Sequence, residues 1–200
     1  MNQPQSEQVQ DLIRRHGVLR PRDLDAHGIP RECLRRMQRR GLVERIGRGL
    51  YILAGSEVSE HHSLAVAAKS VPGATVCLLS ALRFHDLTTQ SPHAVWLAIG
   101  PKARQPKGPG LRLRVVRFSG PALTEGIELH RIEGVRAAVY SPGKTVADCF
   151  KFRRKIGLDV ALEALRECWR ERRADMDELW RFAKICRVAN VMRPYLESLE

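Results

Sequence analysis

Three short helical patterns are followed at once by a hairpin pattern, and this order constrains the fold more than any other feature of the sequence. Each helical pattern ends at a glycine, which favours the left-handed backbone that terminates helices. Two strands then alternate about a Gly-Arg-Gly turn, from Leu42 to Ile46 and from Leu50 to Leu53. The order predicts a winged helix-turn-helix. The predicted helices span residues 5–16, 21–27 and 30–40.

The third helix has two chemically different sides. Its apolar residues Cys33, Leu34 and Met37 are predicted to pack on the first two helices. The opposite side carries charged residues, namely Glu32, Arg35, Arg36 and Arg39, with Arg31 flanking them. Arginine can donate two parallel hydrogen bonds to guanine, and glutamate can accept one from cytosine. An arginine run can also be a solvated helix face, but the preceding short helix and the following hairpin favour DNA recognition.

Three more arginines lie where a winged helix would meet a phosphate backbone. Arg48 stands between two glycines at the hairpin tip and is predicted to contact the minor groove or the backbone. Arg20 and Arg22 open the second helix, where amide donors and the helix dipole attract phosphate; surface solubility is the alternative explanation. Leu50 and Tyr51 are predicted to pack the hairpin onto the helices.

Charge and cysteine content narrow the class of protein. Lys and Arg outnumber Asp and Glu by 34 to 22, which gives a net charge of +12 and favours nucleic acid as the partner. The five cysteines contain no C-x-x-C pair, so neither a disulfide framework nor a zinc site is indicated. No signal peptide or membrane-spanning stretch is visible. We therefore expect a cytoplasmic protein that uses no metal, no cofactor and no membrane.

A second domain is predicted after the hairpin. The apolar pattern lapses around residues 54–56, which divides the chain into a DNA-binding domain of residues 1–56 and a second domain of residues 57–200. Residues 75–79 are predicted to be extended, and Ser80 is predicted to cap a short helix. Three strand patterns follow, AVWLAIG, LRLRVVRF and IELHRI, and then helices. The predicted fold class is α+β: a winged helix-turn-helix followed by a mixed α/β domain with a small sheet and a helical C-terminal part.

The second domain has a basic stretch of its own. It comprises Lys102, Arg104, Lys107, Arg112, Arg114 and Arg117. Strand alternation sends Arg112 and Arg114 to one face, opposite the neighbouring apolar residues. These two arginines are a possible second DNA-binding surface. The other interpretation is an edge strand whose charge prevents aggregation.

Several catalytic patterns are incomplete. The segment SPGKT of residues 141–145 ends like a phosphate-binding loop, but Ala138 stands where that loop needs its first glycine. The doublet His85-Asp86 is by itself a weak metal signal, and the strands are poor in carboxylates. The sequence therefore predicts no catalytic residues and no enzyme.

Two stretches resemble a known family. The segment GVLRPRDLDAHGIPRECLRRMQRRGLVERIGRGLYIL resembles the winged-helix region of the AbiEi antitoxins, and YSPGKTVADCFKFRRKIGLDVALEALRE is similar to the second domain of that family. These antitoxins belong to type IV, or abortive-infection, toxin-antitoxin systems of antiviral defence. The resemblance implies a repressor that binds repeats at its own promoter and counters a nucleotidyltransferase-like toxin through the C-terminal domain. The positions matching the recognition helix and wing are residues 31–40 and 47–49.

Other functions remain open at this point. One alternative is an enzyme that acts on nucleic acid with the second domain as its catalytic part. A second is a repressor without a toxin partner, and a third is an adaptor whose wing binds protein.

Overall fold

The computed structural model describes residues 3–57, 59–106 and 110–199, which form two compact units. Neither unit is a single continuous stretch of chain. The first comprises Met1–Pro72, Pro106–Arg112 and His130–Ala137, and the second comprises Gly73–Gln105, Leu113–Leu129 and Ala138–Glu200. The first unit thus includes residues on both sides of the predicted division at residue 56, which stays a prediction.

The first unit contains the predicted order of helices and hairpin. Its elements are α1 (Gln3–His16), a 3-10 helix (Pro21–His27), α2 (Glu32–Arg39), β1 (Val43–Gly47), β2 (Leu50–Leu53) and α3 (His62–Ser70). The second helix is of the 3-10 type, and it ends at Gly28, whose φ is +64°. Leu24 of this short helix is fully buried beside Val9, Leu34 and Met37, so the packing of three helices on one apolar core forms the unit.

The hairpin is joined to the helices by a third short extended segment. β1 and β2 pair antiparallel with Arg45 opposite Tyr51, and the register shifts between Arg45 and Gly47. Leu19 and Tyr51 exchange two backbone hydrogen bonds of 2.9 Å each. Leu50 and Tyr51 are buried, as predicted, so β2 holds the wing on the helices, whereas Glu44 and Arg45 of β1 and the tip are exposed.

A mixed sheet of five strands forms the centre of the second unit, where the sequence predicted a small sheet; residues 130–137 of this sheet are counted with the first unit. The strands are β3 (Thr75–Val76), β4 (Val95–Ile99), β5 (Leu113–Arg117), β6 (Ile127–Ile132) and β7 (Val135–Tyr140). Their order is β5-β4-β3-β7-β6, with β3 antiparallel to β4 and parallel to β7, and with β4 parallel to β5. β5 and β6 are therefore the edge strands. β7 lies inside the sheet and was not predicted from the sequence.

The start of the sheet differs from the prediction for residues 75–79. Only Thr75 and Val76 form a strand, because Leu78 already begins α4 (Leu78–Phe84). Ser80 lies inside this helix and does not cap it. Its buried Oγ accepts a hydrogen bond of 3.0 Å from the backbone N–H of Trp96, so the hydroxyl satisfies a strand amide instead.

Helices form the rest of the second unit. They are α5 (Pro121–Thr124), α6 (Pro142–Lys151), α7 (Arg153–Ile156), α8 (Leu158–Arg170), α9 (Met176–Ile185) and α10 (Ala189–Glu197). Asp175 caps α9, because its carboxylate accepts a 2.7 Å bond from the Glu178 N–H. Pro194 lies inside α10. Within the described residues, no helix is both long and apolar enough to cross a membrane.

An ion pair lies in the centre of the α6 packing. Lys144 Nζ lies 2.6 Å from Asp148 Oδ2, and both side chains are fully buried. The ammonium also lies 4.0 Å from the centre of the Tyr140 ring, and the Cys186 thiol lies 3.2 Å from Asp148 Oδ1. Burial raises the pKa of Asp148, and the charge of Lys144 opposes that effect. The pair therefore belongs to the core.

Candidate nucleic-acid interface

The two sides of α2 meet different surroundings. Cys33, Leu34 and Met37 are buried in the core of the first unit. Arg35 and Arg39 are exposed, so the outward direction predicted for them is observed. A helix with a packed side and an arginine-bearing solvent side can place guanidinium groups in a duplex groove.

Arg36 differs from its neighbours on α2. The side chain is half-buried, and its Nε is a buried nitrogen for which the described residues offer no hydrogen-bond partner. Arg36 also lies close enough to Cys33 for its charge to lower the pKa of that thiol, although burial has the larger effect and raises it. Position 36 therefore lies at the border between the packed and the solvent side, and not within the outward face where the sequence placed it.

Two exposed ion pairs hold the charged side chains around α2. The Arg35 guanidinium lies 3.0 Å from Glu32 Oε1, one turn earlier in the helix. Arg31 donates through Nε to Asp25 Oδ1 at 2.9 Å and makes a second contact through Nη2. That hydrogen bond lowers the pKa of Asp25. Exposed pairs contribute little to stability, so both arginines can exchange a carboxylate for a phosphate or a base.

The start of the 3-10 helix brings two positive charges together. Burial, and next the charge of Arg22, lower the pKa of Arg20. Asp23 accepts a 2.9 Å bond from the Arg20 backbone N–H and a 2.7 Å ion pair from Lys69 of α3. Burial raises the pKa of Asp23, but the bonds from Lys69 and Arg20 lower it further than burial raises it. The Asp23 carboxylate is therefore engaged, while the Arg22 side chain is exposed to solvent.

The wing tip lies beside that helix start. Arg48 is exposed between Gly47 and Gly49, and Gly49 has a φ of +69°. A Cβ at Gly49 would lie 3.8 Å from Cδ of Pro21, which is the first residue of the 3-10 helix. Glycine permits the left-handed backbone, and the 3.8 Å distance shows that the tip lies in ordinary van der Waals contact with Pro21. Arg48 is thus placed next to the segment that carries Arg20 and Arg22.

The acidic residues that pair with the basic side chains of this surface, Asp23 and Asp25, were not predicted from the sequence. Asp23 stands three residues after Arg20, which is a capping spacing, and was the one signal available. Asp25 pairs with Arg31 across a turn, and Asp23 pairs with Lys69 of α3. Local spacing in the sequence indicates neither pair. These contacts depend on the tertiary fold.

A turn far along the chain contacts the end of α1. The Glu133 carboxylate accepts bonds from Ser59 N at 2.6 Å and from His62 Nδ1 at 2.7 Å. A Cβ at Gly17 would lie 1.5 Å from the Glu133 carbonyl oxygen, so only glycine fits there. Residues 130–137 therefore help to position the helix that precedes the helix-turn-helix.

The second basic stretch does not form one cluster of free cations. Arg114 is exposed on the edge strand β5, and its guanidinium lies 5.1 Å from the centre of the Trp96 ring. Arg117 donates through Nη1 to the carbonyl oxygens of Gly100, Pro101 and Ala103, at 2.8 to 3.0 Å. Arg112 is exposed and belongs to the first unit, and Lys107 lies outside the described residues. The edge position of β5 agrees with the interpretation of a strand protected by charge.

The residues that resembled catalytic patterns make structural contacts instead. Lys144 of the SPGKT segment is paired inside the core, where it cannot reach a phosphate. His85 is buried with Nε2 2.7 Å from the Tyr140 carbonyl oxygen, whereas the Asp86 side chain points to solvent beside Arg83. In the part of the chain that the structure describes, no three His, Cys, Asp or Glu side chains are grouped to hold a metal ion.

Comparison with known proteins agrees with this geometry. Residues 7–54 match the AbiEi antitoxin family of transcriptional regulators. The resemblance is confirmed for this AbiEi segment, which contains α2 and the wing; the second similar stretch lies outside it and stays a prediction. The crystal structure of the RV2827C protein from Mycobacterium tuberculosis has a TM-score of 0.60 at 15% identity, covering 90% of this chain and 71% of that one. At this identity the likeness concerns the fold. None of the curated proteins matches the sequence.

Proposed function

We propose that this chain is a DNA-binding antitoxin that represses its own toxin-antitoxin operon in the cytoplasm. In this proposal α2 enters the major groove of promoter repeats, and the wing contacts the adjacent backbone. The chain acts by binding and not by catalysis. RNA polymerase cannot start transcription while the promoter is occupied.

The solvent side of α2 supports this proposal most directly. Arg35 and Arg39 extend from a helix whose other side is packed, and Arg48 extends from the tip of a hairpin with a buried base. Arg35 can leave Glu32 at little cost because the pair is exposed, with side-chain exposures of 64% and 45%. These are the properties that a base-reading arginine needs.

The wing and the 3-10 helix start have a different part in the proposal. Arg48, Arg20 and Arg22 contact phosphates, which position the protein without reading sequence. Each phosphate contact releases counterions, so its loss lowers the salt dependence of binding by about one unit of slope. Base readers and phosphate contacts can therefore be told apart by measurement.

The first experiment measures binding of two labelled duplexes by fluorescence anisotropy. One duplex comes from the region upstream of the gene, and the other has a random sequence. We expect Arg35→Ala and Arg39→Ala each to weaken binding to the upstream duplex by about 1–3 kcal/mol, or roughly 5- to 150-fold, with little effect on the random duplex. Arg48→Ala is expected to weaken both equally and to lower the salt slope.

The matched control is Arg154→Ala, which removes an exposed arginine from α7 in the second unit. Its affinity for both duplexes is expected to equal that of the wild type. Unchanged affinity of both Arg35→Ala and Arg39→Ala for the upstream duplex contradicts the assignment of α2. Binding that is insensitive to salt on random DNA contradicts the phosphate contacts.

The antitoxin part of the proposal is tested through the neighbouring gene. If that gene encodes a nucleotidyltransferase-like toxin, its expression should arrest growth, and co-expression of this chain should restore growth. The double variant Arg35→Ala/Arg39→Ala should still restore growth when both genes are placed under foreign promoters. Growth arrest that the wild-type chain does not relieve rejects the antitoxin part and leaves a repressor without a toxin partner.

A further inference from the structure

The two edge strands of the sheet differ in the side chains that they expose. β5 carries Arg114 and Arg117 and exposes no large apolar side chain, and charged side chains are a common protection of an edge against pairing with another chain. β6 also carries charged residues, Glu128 and Arg131, but it exposes large apolar side chains between them. Leu129 is 75% exposed and Ile127 is 40% exposed, and Leu129 is the most exposed large apolar residue among those described. An edge of this kind is suited to pairing with a further strand.

The turn after β6 determines which backbone groups face the open edge. Glu133 and Gly134 have φ values of +48° and +79°, and they join Ile132 directly to Val135. Two residues with positive φ form a type I′ hairpin turn, whose flanking residues make a hydrogen-bonded pair. By alternation, Ile132 directs its N–H and C=O toward β7. The N–H and C=O groups of Ile127, Leu129 and Arg131 then point away from β7.

We propose that β6 pairs antiparallel with β6 of a second copy of this chain, about a two-fold axis at Leu129. A two-fold perpendicular to a sheet places residues of the same face opposite each other. In this register Leu129 lies opposite Leu129 of the second copy, and Ile127 lies opposite Arg131. The outward N–H and C=O groups then form hydrogen bonds across the axis.

The side chains of β6 are complementary to themselves in that register. Leu129 covers its own counterpart, and the aliphatic stem of Arg131 covers Ile127. A strand of an unrelated protein would not in general carry matching residues opposite Ile127, Leu129 and Arg131. This complementarity favours a second copy of the chain as the strand that pairs with β6.

A cross-linking experiment tests the register. All five native cysteines are buried, so an oxidant acts on an introduced surface thiol. We expect Leu129→Cys to form a disulfide-linked dimer on a non-reducing gel, because its Cα atoms would lie about 5.5 Å apart. Ile127→Cys is the matched control, since four residues along a strand separate its thiols by about 14 Å. It should cross-link at least tenfold more slowly.

Sedimentation of the full chain tests the pairing without a cross-linker. The net charge of +12 opposes association. The measurement therefore uses about 0.3 M salt, at which the Debye length is shorter than about 8 Å and the repulsion between two copies is largely screened. The apparent mass of the wild type should rise with concentration. Leu129→Lys should abolish this rise, whereas Leu158→Lys, at an exposed leucine of α8, should preserve it.

Each result decides the proposal once melting curves have shown that the variants are folded. Equal cross-linking of Leu129→Cys and Ile127→Cys, or none of Leu129→Cys, overturns it. A wild type that stays monomeric at every concentration overturns it, and so does a dimer that Leu129→Lys leaves intact. Because no DNA is used, these outcomes are independent of the proposed repressor function.

Discussion

The helices α2 and α6 both carry an ion pair along one face, but in opposite surroundings. On α2, Glu32 and Arg35 keep 45% and 64% of their side-chain surface exposed. On α6, Lys144 and Asp148 are fully buried, and aromatic rings surround the ammonium. Water can replace a partner on α2 but not on α6. The exposed pair can therefore be exchanged for a ligand, whereas the buried pair fixes the packing of the second unit.

The largest effect is expected from breaking the buried pair. Asp148→Ala leaves the Lys144 ammonium without an acceptor in the core and should lower the free energy of unfolding by about 3–5 kcal/mol. Urea unfolding followed by circular dichroism measures this change. The double variant Lys144→Met/Asp148→Leu removes both charges and should be much less destabilised. A loss below 1 kcal/mol in Asp148→Ala would mean that the pair does not fix the packing, and the contrast between the helices would fail.

A half-buried pair should give an intermediate effect. Asp23 and Lys69 retain 27% and 22% of their side-chain surface exposed. Asp23→Asn is expected to lower the free energy of unfolding by about 1–2 kcal/mol at neutral pH. The pKa of Asp23 is lowered in the fold, so its contribution is present above the ordinary value of 3.8 and is lost as the pH falls through the folded pKa.

The pH dependence provides the check on that variant. The difference in unfolding free energy between the wild type and Asp23→Asn should shrink as the pH drops below 3.8. A difference that stays constant from neutral to acidic pH would show that the asparagine acts through something other than the lost charge.

The smallest effect is expected for the exposed pair. Glu32→Ala should change the free energy of unfolding by less than about 1 kcal/mol. Gln38→Ala, an exposed uncharged position of the same helix, is the control in the same urea titration. If Glu32→Ala alone destabilised the chain by more than 2 kcal/mol, Arg35 would not be exchangeable and its role as a base reader would lose its support.

Local pattern predicted the first unit well and the second unit less well. α1, α2 and the hairpin follow from apolar periodicity and from glycines at their ends, and these signals lie within a few residues. β7 was missed because VRAAVY carries a charged Arg136 and two small alanines, although its remaining residues are those of an inner strand. Residues 77–79 belong to a short apolar run, for which pattern does not separate strand from helix.

The site shows the same limit. The outward positions of Arg35 and Arg39 follow from the helical wheel, because Cys33, Leu34 and Met37 determine which side is packed. Arg36 lies at the border between the packed and the solvent side of α2, where a small rotation about the helix axis determines whether a side chain is exposed or buried. The contacts of Lys69 and Glu133 join distant parts of the chain, and no local pattern encodes them.

The Glu133 turn has a consequence for how this protein is made. The bonds to Ser59 and His62, and the close approach of the turn to Gly17, require a segment of residues 130–137 that is synthesised long after α1. While the ribosome has released only the first half of the chain, the amino-terminal unit has no access to these contacts. The amino-terminal unit can therefore form its contacts with the Glu133 turn only after residues 130–137 have been translated.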